Sequence, residues 1–173
     1  DYIWVDLDVI ALKPFNFDSD WVFGLETERE ANNAILRLPR DSQTLRDLLS
    51  LTTISRGLPP TLKGFRRFRY WAKSLGRGLT VDRWPWGATG PRALTYYLEK
   101  NNEMGKALPI SAFYAIPLSE AHHFAMPGKI TKENLPLNAW AVHLWGKELR
   151  EYIKNECGNA IPEGSFLHAC LKE

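Results

Sequence analysis

At 173 residues the chain is long enough to bury a core of its own in a single domain. Its 45% hydrophobic and 24% charged content excludes a disordered chain, and no apolar run approaches the roughly 18 residues that suggest a membrane span. The net charge of +2 conceals an asymmetry: between positions 48 and 81 there is no acid, but there are seven bases, Arg56, Lys63, Arg66, Arg67, Arg69, Lys73 and Arg77. Such a block, interleaved with aromatics, suggests a surface that meets something anionic.

Residues 2–5 form a short apolar run of β-formers that ends in Asp6-Leu7-Asp8, and 9–12 form a second run broken by Lys13-Pro14. The segments 21–25 and 33–38 read as strands, the latter closed by Pro39. Leucines at 45, 48, 49 and 51 predict a helix over 42–54, capped by Ser42 or Asp41. A helix over 63–75 places Phe65, Phe68, Trp71, Ala72 and Leu75 on one face, with Arg66, Arg69, Tyr70 and Lys73 on another. The loop at 84–91 leads into a helix over 91–100, with Pro91 in the favoured first turn. Short strands are expected at 112–116 and 139–144, and the remainder is expected to be helical and peripheral. Strands alternating with helices make the class α/β.

The chemistry concentrates at Asp6 and Asp8. On a strand, alternate side chains share a face, so the two carboxylates point together at the strand's carboxyl end, where open α/β sheets bind ligands. Adjacent carboxylates repel unless a cation joins them. Oxygen ligands suit Mn²⁺ or Mg²⁺, which in turn hold diphosphates.

The opening segment, Asp1-Tyr-Ile-Trp-Val-Asp-Leu-Asp-Val-Ile-Ala-Leu-Lys-Pro-Phe, resembles the metal motif of the glycosyltransferase family named for its sugar-binding region containing a DXD motif. That family includes capsular polysaccharide and α-mannosyl transferases and lies close to the α-1,4-galactosyl and N-acetylglucosaminyl transferases. Three further segments agree in order: Asn32-Asn33-Ala-Ile-Leu, Gly87-Ala-Thr-Gly-Pro-Arg-Ala-Leu-Thr, and Ala139-Trp-Ala-Val-His-Leu-Trp. The resemblance covers roughly residues 1–147; each motif is weak alone, and the four in order are specific.

The resemblance implies a GT-A fold and transfer of a sugar from a nucleotide-sugar donor to a glycan or glycolipid acceptor, generally with retention at the anomeric carbon. Asp6 and Asp8 would serve as the catalytic DXD pair, with His143 joining them as the third metal ligand. Asn32, Asn33, Trp86, Gly90, Pro91 and Trp145 would lie along the donor and acceptor. Because the chain opens on the metal-motif strand, we expect residues 1–173 to be a single, carboxyl-terminal part of the catalytic domain, lacking its first Rossmann-like strands and the nucleoside-binding segment.

Plainer readings stand beside these. Asn32-Asn33 also suits a turn, and Gly90-Pro91 a rigid helix entry. Trp84 and Trp86 suit either a sugar face or the packing of a Pro-rich loop. Glu26 and Glu28 read as surface carboxylates, and His122-His123 as a packed or exposed pair without metal-ligand spacing. The basic helix reads as a solvated face or as a contact with anionic lipid; nucleic acid has no supporting motif. Cys157 and Cys170 read as ordinary thiols of a reducing compartment, with the protein cytoplasmic and peripheral to the membrane, or in the Golgi lumen of a eukaryotic source. Two rivals differ in class: a phosphatase of the haloacid-dehalogenase type, whose further motifs are missing, and a non-catalytic carbohydrate-binding or interaction module.

Overall fold

A computed structural model of the chain describes residues 2–51 and 56–172. The secondary structure is mixed α/β, and the chain falls into two compact units, residues 1–4 with 18–108 and residues 5–17 with 109–173. Among the described residues no helix is long and apolar enough to cross a membrane.

The first unit is built on a three-stranded sheet. Strand β1 is short, Trp4–Val5; β2, Val9–Ala11, belongs to the second unit; β3 is Val22–Leu25 and β4 is Ala31–Arg37. The order is β1-β4-β3, and β3 and β4 pair antiparallel with a register irregularity between the Val22–Arg37 and Gly24–Asn32 pairs. Extra residues in one strand of a pair bend it and re-aim its side chains; here the extra residues follow Asn32 on β4.

Helix α1 runs Gln43–Leu51, α2 Gly64–Lys73 and α3 Pro91–Lys100. The last residues expected in the first of these, 52–54, lie outside the described residues. Helix α3 carries Pro91 in its first turn, as expected, and buries Ala93, Leu94, Tyr97 and Leu98. That spacing makes one apolar stripe. Leu94 and Leu98 pack with Phe23 and Ala31, and Ala93 and Tyr97 pack with Leu51, Trp84 and Ala88. Thr95 fixes the register of α3 on β4, since its hydroxyl accepts from the Ala31 N–H at 3.0 Å and lies 3.2 Å from the Ala31 carbonyl.

The cap of α1 comes from two places. Ser42 Oγ accepts from the Leu45 N–H at 3.1 Å, which selects Ser42 over Asp41 as the cap. No acid stands in the first turn of α1, and Glu103 supplies the charge from a distant part of the sequence. Its carboxylate accepts from the Gln43 N–H at 3.0 Å, the Thr44 N–H at 3.1 Å and the Ser42 hydroxyl at 2.9 Å. Burial pushes the Glu103 pKa up, but these hydrogen bonds outweigh it and hold the carboxyl below its ordinary value.

In the second unit β2 pairs antiparallel with β5, Ala141–His143, in the register Val9–His143, Ile10–Val142 and Ala11–Ala141. Helix α4, Gly146–Glu156, follows directly, and α5, Phe166–Cys170, closes the unit, with the Phe166 ring 5.6 Å from that of Phe124. The strand expected over 112–116 does not form. A 3₁₀ turn spans Ile110–Ala112, and the Tyr114 N–H bonds back to the Ile110 carbonyl at 2.8 Å. The apolar run there is a folded-over core segment: Phe113 and Tyr114 are fully buried, and two carbonyls, those of Ala112 and Phe113, accept single bonds from Trp140 and His143. A short buried apolar run does not by itself distinguish strand from turn.

Glu103→Gln should lower stability at neutral pH by about 1–2 kcal/mol, the value of charge-assisted cap bonds. Because the folded carboxyl titrates below its unfolded value, this contribution is complete above the ordinary carboxylate range. It disappears as the pH falls through the lowered folded value. Thermal melts of the two proteins should therefore differ at pH 7 and converge in strong acid.

Candidate metal centre

The second unit brings Asp6, Asp8 and His143 together: one ligand atom from each lies within 4.8 Å of the others, and no other such group of three occurs among the described residues. Asp6 and Asp8 follow directly on the short strand β1, as the sequence suggested. They sit in the turn between β1 and β2, with Leu7 between them pointing fully into solvent. The alternation nevertheless holds locally, so both carboxylates face inward and both are half-buried.

The position of His143 follows from the β2–β5 pairing, which sets it opposite Val9, next to Asp8. The chain bonds the two segments further: the Leu144 N–H donates to the Asp8 carbonyl at 2.8 Å and the Leu12 N–H to the Trp140 carbonyl at 2.9 Å. Aromatic packing anchors the same ladder. Phe17 lies 4.3 Å from Trp140, and the Lys13 ammonium stands 4.4 Å over the Trp140 ring.

His143 is 8% exposed. Its Nε2 lies 3.3 Å from Asp8 Oδ1, and its ring stands edge-on to Trp145 at 4.3 Å and to Tyr114 at 5.8 Å. The other oxygen of Asp8, Oδ2, accepts from the Gly146 N–H at 2.8 Å, a bond spanning 138 residues of sequence. Gly146 opens α4, so the carboxylate also sits at the positive end of a helix dipole.

Trp145 makes that arrangement possible. Its backbone is left-handed, with φ 55° and ψ 55°, which costs a bulky L-residue roughly 1–2 kcal/mol. The indole N–H donates to the Ile116 carbonyl at 2.9 Å, and the ring packs on Tyr114 and His143. The turn it forces aims the first N–H of α4 at Asp8. Trp145, expected from the sequence to contact donor or acceptor, is 7% exposed, and its ring packs the site from within.

Sequence reasoning missed three residues. A side chain at Gly146 would place its Cβ 3.0 Å from Asp8 Oδ2 and 3.1 Å from Asp8 Cβ, a tight fit that Asp8 would have to relieve by a small shift. Arg150 Nη1 lies 3.0 Å from the same point, so a guanidinium and the Asp8 carboxylate border one small volume. Tyr114 backs His143 from the core. A glycine at the head of a helix beside a His-x-Trp segment was the visible signal for the first; the other two carried none.

The remaining candidates for donor and acceptor contact, Asn32, Asn33, Trp86, Gly90 and Pro91, lie in the first unit. Asn32 is occupied internally: its amide donates to Glu26 at 2.7 Å and its carbonyl accepts from the Ala34 N–H at 2.8 Å. Asn33 Oδ1 lies 3.5 Å from where a Gly90 Cβ would stand, so the Asn-Asn and Gly-Pro motifs meet at the head of α3, with Pro91 as its first residue. Trp86 is 81% exposed, whereas Trp84 is buried and donates to the Gly57 and Leu79 carbonyls. Glu28 is exposed. His122 and His123 pack on each other at 4.4 Å, with Tyr152 beside His122 and Glu120 beside His123, away from the cluster. Cys157 and Cys170 are free thiols.

Two carboxylates and an imidazole are a donor set that could hold a small divalent cation: ligand atoms about 2.0–2.2 Å from a shared ion lie at most about 4.4 Å from one another, and these three lie within 4.8 Å. The chain matches no protein-family model, no curated protein and no solved structure.

Gly146→Ala tests the arrangement of this site. The added methyl would stand 3.0 Å from Asp8 Oδ2 and press on it, and disturbing a partner that orients a ligand typically weakens metal binding by roughly 10–100-fold. Titration of Mn²⁺ into the two proteins should show that weakening, and equal affinities would show that the Gly146–Asp8 contact does not orient a metal ligand.

Proposed function

We propose that the chain acts as a divalent-metal-dependent glycosyltransferase that moves a sugar from a nucleotide-sugar donor to a hydroxyl of a glycan or glycolipid. The observation that carries this reading is the meeting of Asp6, Asp8 and His143. They come from the two ends of the motif series that resembles the DXD glycosyltransferases, and nothing in either segment's local sequence requires them to meet.

The proposed roles combine the Asp6–Asp8–His143 cluster with the motif resemblance. Asp6 and Asp8 supply anionic oxygen ligands and His143 a neutral nitrogen. A set that includes imidazole favours Mn²⁺ over Mg²⁺. When bound, the ion supplies Lewis-acid stabilisation of the departing nucleoside diphosphate. Arg150, bordering the same volume as Asp8, is placed to pair with a phosphate oxygen. In the transfer, the bond from the anomeric carbon to the diphosphate oxygen breaks, a bond to the acceptor oxygen forms, and the acceptor's proton passes to the departing diphosphate. Asn33, Gly90, Pro91 and the exposed ring of Trp86 are the residues proposed for sugar contact; Asn32 supports them through its bond to Glu26.

One observation favours a second, structural reading. Asp8 already bonds the Gly146 N–H and approaches His143, so it can act as a clasp joining the β2 turn to the head of α4 without any ion. Melting with and without Mn²⁺ separates the two. A ligand at about a hundred times its dissociation constant stabilises by about 2.7 kcal/mol, whereas a clasp alone gives no shift.

Release of nucleoside diphosphate from a panel of nucleotide sugars tests the reaction itself. Turnover should require Mn²⁺ and stop with a chelator. Asp8→Asn should reduce turnover by about a hundredfold or more, corresponding to loss of several kcal/mol of charge stabilisation. His143→Ala should cost less, since water or the diphosphate replaces a neutral ligand more readily than an anionic one. Full turnover in chelator would refute the proposed mechanism.

A further inference from the structure

Helix α2 has the pattern of a buried element and none of the burial. Phe65, Phe68 and Trp71 recur at intervals of three residues and so line one face, with Leu75 just past the helix end, yet α2 buries no residue. Phe65 is 78% exposed and Leu75 85%. The rings pack along the row, Phe65 to Phe68 at 6.5 Å and Phe68 to Trp71 stacked at 5.9 Å. A contiguous exposed apolar face of this kind marks an interaction surface. Arg66, Arg67, Arg69 and Lys73 are exposed on the same helix, and none has an acidic partner among the described residues.

The fold presents this helix on a firm neck. Gly57 and Leu79 exchange both backbone hydrogen bonds, at 2.9 and 2.8 Å, and close the excursion that carries α2. Gly78 is pressed so close to Gly57 that an added Cβ would stand 2.7 Å from its Cα. The buried Trp84 locks the neck by donating to both carbonyls. At the far end of α2 the Leu75 N–H bonds the Ala72 carbonyl and the Gly76 N–H the Trp71 carbonyl, both at 3.0 Å. This cap puts Leu75, rather than a glycine, in the left-handed region, with φ 52°. Its side chain is thereby held in solvent at the end of the aromatic row.

Two occupants fit poorly. A second copy would bring the same cationic flank against itself, with no acid anywhere in 48–81 to relieve the repulsion. A single-stranded nucleic acid stacks its bases on open ring faces, and here Phe68 and Trp71 already use faces on each other. An anionic bilayer fits both features at once. Aromatic rings suit the depth between headgroups and acyl chains, and long Arg and Lys side chains reach back to the phosphates.

We propose that α2 is a membrane-docking helix that lies flat on an anionic lipid surface, with Phe65, Phe68, Trp71 and Leu75 entering the headgroup–acyl boundary and Arg66, Arg67, Arg69 and Lys73 contacting the headgroups. This does not depend on the glycosyltransferase reading, since no metal ligand belongs to the helix.

Flotation of the full chain with phosphatidylcholine vesicles, with and without phosphatidylserine, tests it. Binding should require phosphatidylserine and should fall steeply as salt screens the charges. Replacing Arg66, Arg67, Arg69 and Lys73 together by Gln should weaken it by about a hundredfold or more, each basic residue near an anionic surface being worth roughly a fivefold factor. Trp71→Phe should retain binding but lose part of the tryptophan quenching by lipids brominated in the acyl chain. All these positions are exposed, so melting temperatures should stay close to wild type. Absence of binding to phosphatidylserine vesicles at low salt would overturn the proposal. So would equal binding by the Gln variant, unchanged quenching in Trp71→Phe, or capture of RNA, an acidic protein or a second copy through α2 while vesicles are ignored.

Discussion

The carboxylate of Asp8 works in two directions, and the second unit is arranged around it. One oxygen takes the first N–H of α4 through Gly146; the other faces His143 Nε2. The two contacts join the turn after β1 to the junction of β5 and α4. Gly146 packs tightly against Asp8, and the left-handed Trp145 fixes the direction in which α4 sets off. A carboxylate held this way would lose little side-chain entropy on taking up a cation, and the cluster could coordinate one. The same bonds also explain why the site has a structural role: a helix end needs an acceptor, and Asp8 supplies it.

The first unit follows a related logic with different residues. Its helices are registered by polar groups that reach across long stretches of sequence: Thr95 on both backbone groups of Ala31, and Glu103 on the head of α1. Burial of Phe23, Leu94 and Leu98 supplies the apolar mass, while these polar bonds set the alignment. A result is that Asn33 and Gly90, from two separate motifs, stand next to each other at the head of α3. The stretch between Gly57 and Leu79 departs from this pattern, since α2 places its apolar stripe in solvent.

Much of this was legible in the sequence wherever a local rule acts alone. Pro91 marked the start of α3 to the residue, Ser42 or Asp41 the cap of α1, and alternation across Asp6-Leu7-Asp8 the common face of the two carboxylates. What sequence patterns could not show depends on partners far along the chain. The run at 112–116 has strand-like composition but folds over, because its carbonyls meet Trp140 and His143 singly instead of in a ladder. Trp145 looked like a ligand-binding aromatic; its left-handed backbone and its bond to Ile116 turn it into packing. Arg150 gains its meaning from Asp8, which lies at the other end of the sequence, so no window of neighbouring residues exposes it.

The central claim is that Asp6, Asp8 and His143 share one cation that also faces a diphosphate. Pulsed electron paramagnetic resonance of Mn²⁺ bound to the chain with nucleoside diphosphate tests it most directly. The account predicts nitrogen modulation from the His143 imidazole and phosphorus coupling from the diphosphate on the same ion, with the nitrogen signal absent in His143→Ala. A Mn²⁺ signal with phosphorus coupling but the same nitrogen modulation in wild type and His143→Ala, or no protein-bound Mn²⁺ at all, would contradict it.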